Sequence, residues 1–167
     1  GLLRPKLTTL GMDFAGEVEA LGAGVMAFQP GDRVFGLSPE VYGAHAEYLC
    51  VPEAGATATL PAGTRFGEAV VCEGAWYADT YLSAFRLGPG HSILVYGASG
   101  AIGTAAVQLA RCRGAKVTAV VATRHLDLAR SLGAERVVDY TTEDFTQIDG
   151  RFDFVFDAVG KTTYFRC

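Results

Sequence analysis

One stretch constrains the fold more than any other: SILVYGASGAIGTAAVQLA, from Ser92 to Ala110, in which an apolar run breaks at Gly97, Gly100 and Gly103 and resumes with helical spacing. Ile102, Ala105, Ala106 and Leu109 recur on one face of a helix predicted over Ala101 to Arg113. A buried strand passing into a helix through glycines leaves backbone N–H groups and the positive end of the helix dipole exposed at the junction. A diphosphate binds at such a place. Ala98, Gly100 and Gly103 hold the three glycine slots of the GxGxxG fingerprint, with alanine in the first and Gly97 just before it. Gly100 would let a pyrophosphate approach the backbone, and Gly103 would let the helix pack on the strand. The same glycines also serve plain tight turns.

The rest of the second half alternates in the same way. KVTAVV reads as a second strand, Leu126 to Leu132 as a helix capped by Gly133, RVVDY as a third strand, Glu143 to Ile148 as a short helix and FDFVFDAV as a fourth strand. Strands alternating with helices over short connections imply right-handed crossovers and a parallel sheet. The first half has another texture. From Gly11 to about Pro61, short apolar runs such as DFAGEVEALG, GDRVFGL and HAEYLCVP are broken by Gly and Pro, and Pro30-Gly31-Asp32 marks a turn. Compact β structure is expected there. Gly67 to Leu87 reads as a helix or a broken pair of helices, with Tyr77, Tyr81, Leu82 and Phe85 at helical intervals, ended by GPG.

The end of the second strand selects the dinucleotide. An NAD site places an Asp or Glu about 20 residues past the fingerprint to accept from the ribose 2'-hydroxyl, whereas an NADP site has a basic residue there. KVTAVV runs into Ala122, Thr123, Arg124 and His125, with no carboxylate before Asp127. Arg124 can pair with a 2'-phosphate and Thr123 can donate to it, so NADP(H) is the expected cofactor. Arg124 also reads as a solvated residue opening the next helix.

Composition excludes several classes of function. The chain has 167 residues, half of them hydrophobic and 19% charged, with a net charge of -4, so it carries no basic stripe for a nucleic acid. No apolar run approaches the roughly 18 residues of a membrane span, and no signal-peptide pattern opens the chain, which makes cytoplasm the expected location. The four cysteines, Cys50, Cys72, Cys112 and Cys167, form no CxxC pair and read as unpaired thiols. His45, His91 and His125 are scattered, without triad or metal spacing. VGKTT, Val159 to Thr163, imitates the end of a P-loop, but Val155 stands where the earlier glycine belongs. A short-chain dehydrogenase would need a Tyr-xxx-Lys pair, and no tyrosine here has a lysine four residues later.

Nearly the whole chain resembles the medium-chain dehydrogenases/reductases, specifically their zinc-independent quinone-reductase-like branch. GMDFAGEVEALGAGVMAFQPGDRVFG is similar to that family's signature in its GroES-like domain, and YGASGAIGTAAVQLAR, VTAVVATRHLDLARSLGAERVVDY and FDFVFDAVG resemble its successive Rossmann elements. The resemblance implies an α/β chain: a partial GroES-like β domain over 1–65, a linking helical segment over 66–90 and a partial Rossmann-type parallel sheet over 91–167. It implies that Thr80 lies near the nicotinamide, that Ser99, Gly100, Ala101, Ile102 and Gly103 line the pyrophosphate, that Tyr140 lies by the adenine, and that Val159 and Gly160 approach the nicotinamide ribose. Zinc alcohol dehydrogenases have a His-Glu pair where this chain has Met12 and Asp13, and a cysteine ligand near the position of Trp76. Neither Met12 nor Trp76 offers the nitrogen or thiolate that zinc prefers, so no metal is expected. The expected reaction is hydride delivery from NADPH to a quinone or enone-type small molecule, with a tyrosine or water protonating the enolate and the proton donor unassigned. The resemblance also implies the strand order 3-2-1-4, whose fourth strand would form an unpaired edge and so predicts a homo-oligomer built through it. Family members run to about twice this length. The alternative is therefore a truncated, catalytically silent dinucleotide-binding module.

Overall fold

The computed structural model describes residues 8–39 and 42–161, and the chain divides into two compact units, Gly1–Glu73 and Gly74–Cys167. In the first, β1 (Asp13–Glu17), β2 (Arg33–Leu37) and β3 (Ala56–Thr59) form an antiparallel sheet in sequence order, with Asp13 opposite Leu37 and Leu37 opposite Ala56. The turn signal at Pro30 does what its residues dictate. The Asp32 carboxylate accepts from Gln29 N at 2.9 Å, and Gly31 N donates to Val18 O, which closes the β1–β2 connection. HAEYLCVP forms no strand. Its neighbourhood is held by side chains instead: the Glu53 carboxylate accepts from the amides of Met26 and Ala27, at 2.6 and 2.5 Å.

Of the two readings for Gly67 to Leu87, the structure shows the broken pair, α1 (Phe66–Ala69) and α2 (Cys72–Ala84), interrupted at Val70, where ψ turns to 62°. α2 hides its small residues rather than its tyrosines. Gly74, Ala78 and Leu82 are buried, while Tyr77 and Tyr81 are exposed, Tyr81 at 52%. The reason is close approach: a β-carbon on Gly74 would lie 3.0 Å from the Ala101 carbonyl, so α2 rests directly on the start of the next helix.

The second unit is a four-stranded parallel sheet in the order β6-β5-β4-β7, the expected 3-2-1-4 arrangement. Its elements are β4 (Ser92–Tyr96), α3 (Ala101–Cys112), β5 (Lys116–Val121), α4 (Leu126–Ser131), β6 (Arg136–Asp139) and β7 (Phe154–Asp157). Alternation along each strand sorts the core. Ile93, Val95, Val117, Ala119, Val121 and Phe156 face one way and pack with Ala78, Leu82, Ala106, Val107, Ala110 and Ala129 of the helices. Leu94, Val120, Val138 and Val155 face the other way, against Phe145, Ile148 and Phe152. Leu82 is fully buried, and trimming such a leucine to alanine costs about 2–5 kcal/mol.

The helix expected over Glu143 to Ile148 is a single 3-10 turn, Phe145–Gln147, with the Asp144 side chain accepting from Thr146 N. Three residues per turn bring Phe145 and Ile148 onto the same side, which is what the second face of the sheet needs. Among the described residues no helix is long and apolar enough to cross a membrane.

Candidate functional site

At the carboxyl end of β4 the chain makes the turn that the three glycines announced. Gly97 has a φ of 77°, and both its amide and that of Ala98 donate to Val120 O, at 3.1 and 3.2 Å, which ties the loop to the neighbouring strand. The glycines have different duties. A β-carbon on Gly103 would lie 2.1 Å from Gly97 O, and one on Gly97 would lie 2.3 Å from Val159 Cγ2. These two are demanded by packing. A β-carbon on Gly100 would meet only Gly97 O, at 3.6 Å, an ordinary contact. Gly100 is exposed and stands at the N-cap of α3, where no side chain supplies a capping hydrogen bond. The first amides of α3 have no intrahelical acceptor, so this end can receive an anion against bare backbone. Ala98 is fully buried, Ser99 and Ile102 are half-buried, and Ala101 is exposed beside Gly100.

Beyond β7 the chain turns at once. The Asp157 carboxylate accepts from Val159 N at 2.8 Å and Gly160 N at 2.9 Å, an Asx-type turn that lays Val159 over Gly97. Ala158 N donates to Tyr96 O, extending the β4–β7 ladder by one bond. The glycine loop therefore sits where the crossovers leave β4 on one side and β7 flanks it on the other, the switch point at which open α/β sheets take ligands.

On the other side of the loop, the ends of β5 and β6 come together. The Thr123 hydroxyl donates to Asp139 Oδ2 at 2.5 Å and lies 2.8 Å from Thr141 Oγ1. Asp139 Oδ1 accepts from Thr141 N and Thr141 Oγ1, at 2.9 and 2.7 Å. Asp139 is 8% exposed, and the hydroxyl of Thr123, followed by that of Thr141, holds its carboxyl below the ordinary aspartate range. Arg124 is exposed, and its Nε donates to His125 Nε2 at 3.0 Å. Tyr140 is 49% exposed, with its ring edge-on to Tyr96 at 6.3 Å between centroids. Thr80 lies exposed on α2. Asp139 and Asp157 were not singled out from sequence; an aspartate closing a strand and followed within two or three residues by Thr or Gly is the signal that would have found them.

The first unit has a cleft of its own. A shallow hollow of about 550 Å3 is lined by Gly11, Met12, Asp13, Tyr42, His45, Val70 and Glu73. Asp13 is one of these lining residues. It lies in β1, and its Oδ1 accepts from Glu73 N at 2.9 Å, capping the start of α2 across sixty residues of sequence. Burial, and then the charge of Asp13, push the Cys72 thiol up from its ordinary value. Met12 contributes a thioether, a soft ligand poorly matched to zinc, and among the described residues no three His, Cys, Asp or Glu side chains are grouped to hold a metal ion.

Known proteins share both units. Residues 2–62 match the family model described as alcohol dehydrogenase GroES-like domain, and residues 101–166 match the one described as zinc-binding dehydrogenase. The chain is 36% identical to a 2-methylene-furan-3-one reductase of Solanum lycopersicum, over 94% of this chain and 43% of that protein. It is 35% identical to an NADPH-dependent alkenal/one oxidoreductase of Arabidopsis thaliana chloroplasts, over 93% of this chain and 43% of that protein. Among solved structures, a quinone oxidoreductase from Coxiella burnetii superimposes with a TM-score of 0.85 at 31% identity, over 93% of this chain and 50% of that one. The Escherichia coli quinone oxidoreductase complexed with NADPH gives 0.75 at 30% identity, over 87% and 46%. The chain spans about half the length of the proteins it resembles.

Proposed function

Because this chain belongs to the medium-chain dehydrogenase/reductase superfamily, we propose that it serves an NADPH-dependent, zinc-free oxidoreductase that transfers hydride to a quinone or enone. The observation that carries this reading is the first turn of α3: bare amides, no side-chain cap, and a Gly100 that packing does not require. NADPH, when bound, supplies the hydride. On this reading Ser99, Gly100, Ala101, Ile102 and Gly103 receive the diphosphate, and Ala98 is the buried floor beneath it. Arg124 pairs with the 2'-phosphate beside Thr123, Tyr140 covers the adenine, and Thr80, Val159 and Gly160 line the nicotinamide end. Asp157 holds that last pair in place through its two amide contacts.

The organisation that accompanies this reading is a partial GroES-like domain over 1–65, a linking segment over 66–90 and a dinucleotide-binding part over 91–167. Met12 stands where a metal would need nitrogen or thiolate, so the substrate's own conjugated carbonyl, rather than a Lewis acid, activates the carbon that accepts hydride. The names of the tomato, Arabidopsis and E. coli proteins support the enone and quinone classes and the phosphorylated cofactor for those proteins. Among the described residues β7 pairs only with β4, which supports self-association along its free edge. A solution mass that stays monomeric at every concentration rules that edge out.

The test is a calorimetric titration with NADPH and NADH, followed by oxidation of NADPH with a panel of quinones and enones. NADPH should bind the more tightly, and at least one enone or quinone should be reduced. Binding without turnover selects the second reading, a catalytically silent dinucleotide-binding module. Failure of NADPH to bind ends both.

A further inference from the structure

The Asp139–Thr123 pair raises a question of proton direction. A carboxylate has no proton to give, so the 2.5 Å contact between Thr123 Oγ1 and Asp139 Oδ2 uses the only hydrogen that the Thr123 hydroxyl owns. Thr141 can give its own proton to Asp139 Oδ1 or to Thr123, but it cannot restore one for Thr123 to donate outward. Thr123 therefore presents lone pairs, not a hydrogen, to whatever lies beside it. The sequence suggested the opposite, a threonine donating to a phosphate.

From this we infer that Asp139 is a positioning residue for cofactor choice: by holding the Thr123 proton it makes Thr123 an acceptor, which favours a ribose 2'-hydroxyl and tempers the phosphate preference set by Arg124. A 2'-hydroxyl has a proton to offer; a 2'-phosphate near neutral pH offers mainly oxygens and adds charge next to a second anion. The inference rests on the reading that the adenosine end of the cofactor lies against Thr123 and Arg124. Asp139 is suited to the task because it is fixed: it ends β6 in register with Val121, and its backbone carbonyl accepts from Thr142 and Glu143. The carboxylate is thus anchored on the strand, and Thr123, two residues past the end of β5, opens the 3-10 turn Thr123–His125.

Asp139→Asn tests this with almost no change of shape. Thr141 directs both an amide and a hydroxyl at Oδ1, so the asparagine oxygen takes that place and its NH2 faces Thr123. The NH2 then donates to Thr123 and frees the threonine proton to point outward. Calorimetric titration of the variant should show tighter NADPH binding and weaker NADH binding, with the ratio moving about threefold to tenfold, the range expected for inverting one hydrogen bond. Thr123→Val should weaken NADH binding by a similar factor and leave NADPH within about twofold. Loss of both cofactors in parallel, or a ratio unmoved in Asp139→Asn while Arg124→Ala still weakens NADPH, overturns the role of Asp139 and leaves the cofactor site standing. If wild-type protein binds neither cofactor, or Arg124→Ala leaves NADPH binding unchanged, the underlying reading fails and takes this inference with it.

Discussion

Val159 lies directly over Gly97, so closely that a β-carbon on the glycine would sit 2.3 Å from Val159 Cγ2. Gly97 also has a φ of 77°, a region that side chains disfavour. Gly97→Ala should therefore destabilise the parallel-sheet unit by about 1–3 kcal/mol, and adding Val159→Ala should recover only the steric part of that loss. Thermal unfolding of the two variants against wild type measures both terms. Full recovery in the double variant would show that backbone strain contributes nothing.

Gly100 and Gly103 should separate ligand binding from folding. Gly103→Ala forces a β-carbon against Gly97 O, a backbone atom that cannot step aside, and the variant should express poorly or unfold well below wild type. Gly100→Ala has room and a φ of -81°, so its circular dichroism and melting should match wild type. Its NADPH affinity should nonetheless drop about tenfold or more, because the methyl group stands where the diphosphate would touch the backbone. Unchanged affinity would remove the diphosphate from that turn.

Asp13 joins β1 to the start of α2 through a single charge-assisted hydrogen bond to Glu73 N. Asp13→Ala should cost about 1 kcal/mol of stability, the usual worth of an N-terminal cap. The same carboxylate adds to the burial that holds the Cys72 thiol up. Asp13→Asn should thus speed alkylation of Cys72 only in part, since burial is the larger cause and persists. Peptide mass spectrometry after a timed iodoacetamide pulse reports it, with Cys50 and Cys112, both exposed, as internal references.

Acid should loosen the second unit through Asp139 and Asp153. The Ser92 amide, then the Ser92 hydroxyl, hold the Asp153 carboxyl below its ordinary value of 3.8. A carboxyl depressed in the folded state contributes stability that is fully present above its ordinary value and is lost as pH falls through its folded value. The decline should begin near pH 4 and continue below it. In Asp153→Asn the protein should start less stable at neutral pH and lose less on acidification, as followed by urea midpoints across that range. Parallel slopes for variant and wild type would exclude Asp153 as a source.

Much of the fold could be read from residue order because the relevant forces act locally. SILVYG, KVTAVV and FDFVFDAV are apolar runs too short for helices, bounded by glycine or charge, and they became β4, β5 and β7. Crossover handedness sets the face on which each helix lies, while the order β6-β5-β4-β7 followed from the resemblance to the Rossmann elements. What stayed hidden depends on distance between elements. Nothing local in CEGAWYADTYLSA says that Gly74 and Ala78 are buried and Tyr81 exposed; only the approach of α2 to Ala101 decides it. The glycine loop was legible as a strand-to-helix turn, and Gly103 answers to packing as expected; Gly97 answers to packing as well, which leaves Gly100 as the one with room beside it. Thr123 could be singled out by its place after β5, but the direction of its proton depends on Asp139, sixteen residues away.

The single carbonyl of Val120, which accepts from both Gly97 and Ala98, gives the loop a birth order. Until β5 has been made and laid beside β4, those two amides lack that acceptor, and only the local bond from Gly100 N to Gly97 O closes the turn. A polypeptide still on the ribosome with Val120 inside the exit tunnel would carry every glycine of the motif without the bonds that tie its loop to β5.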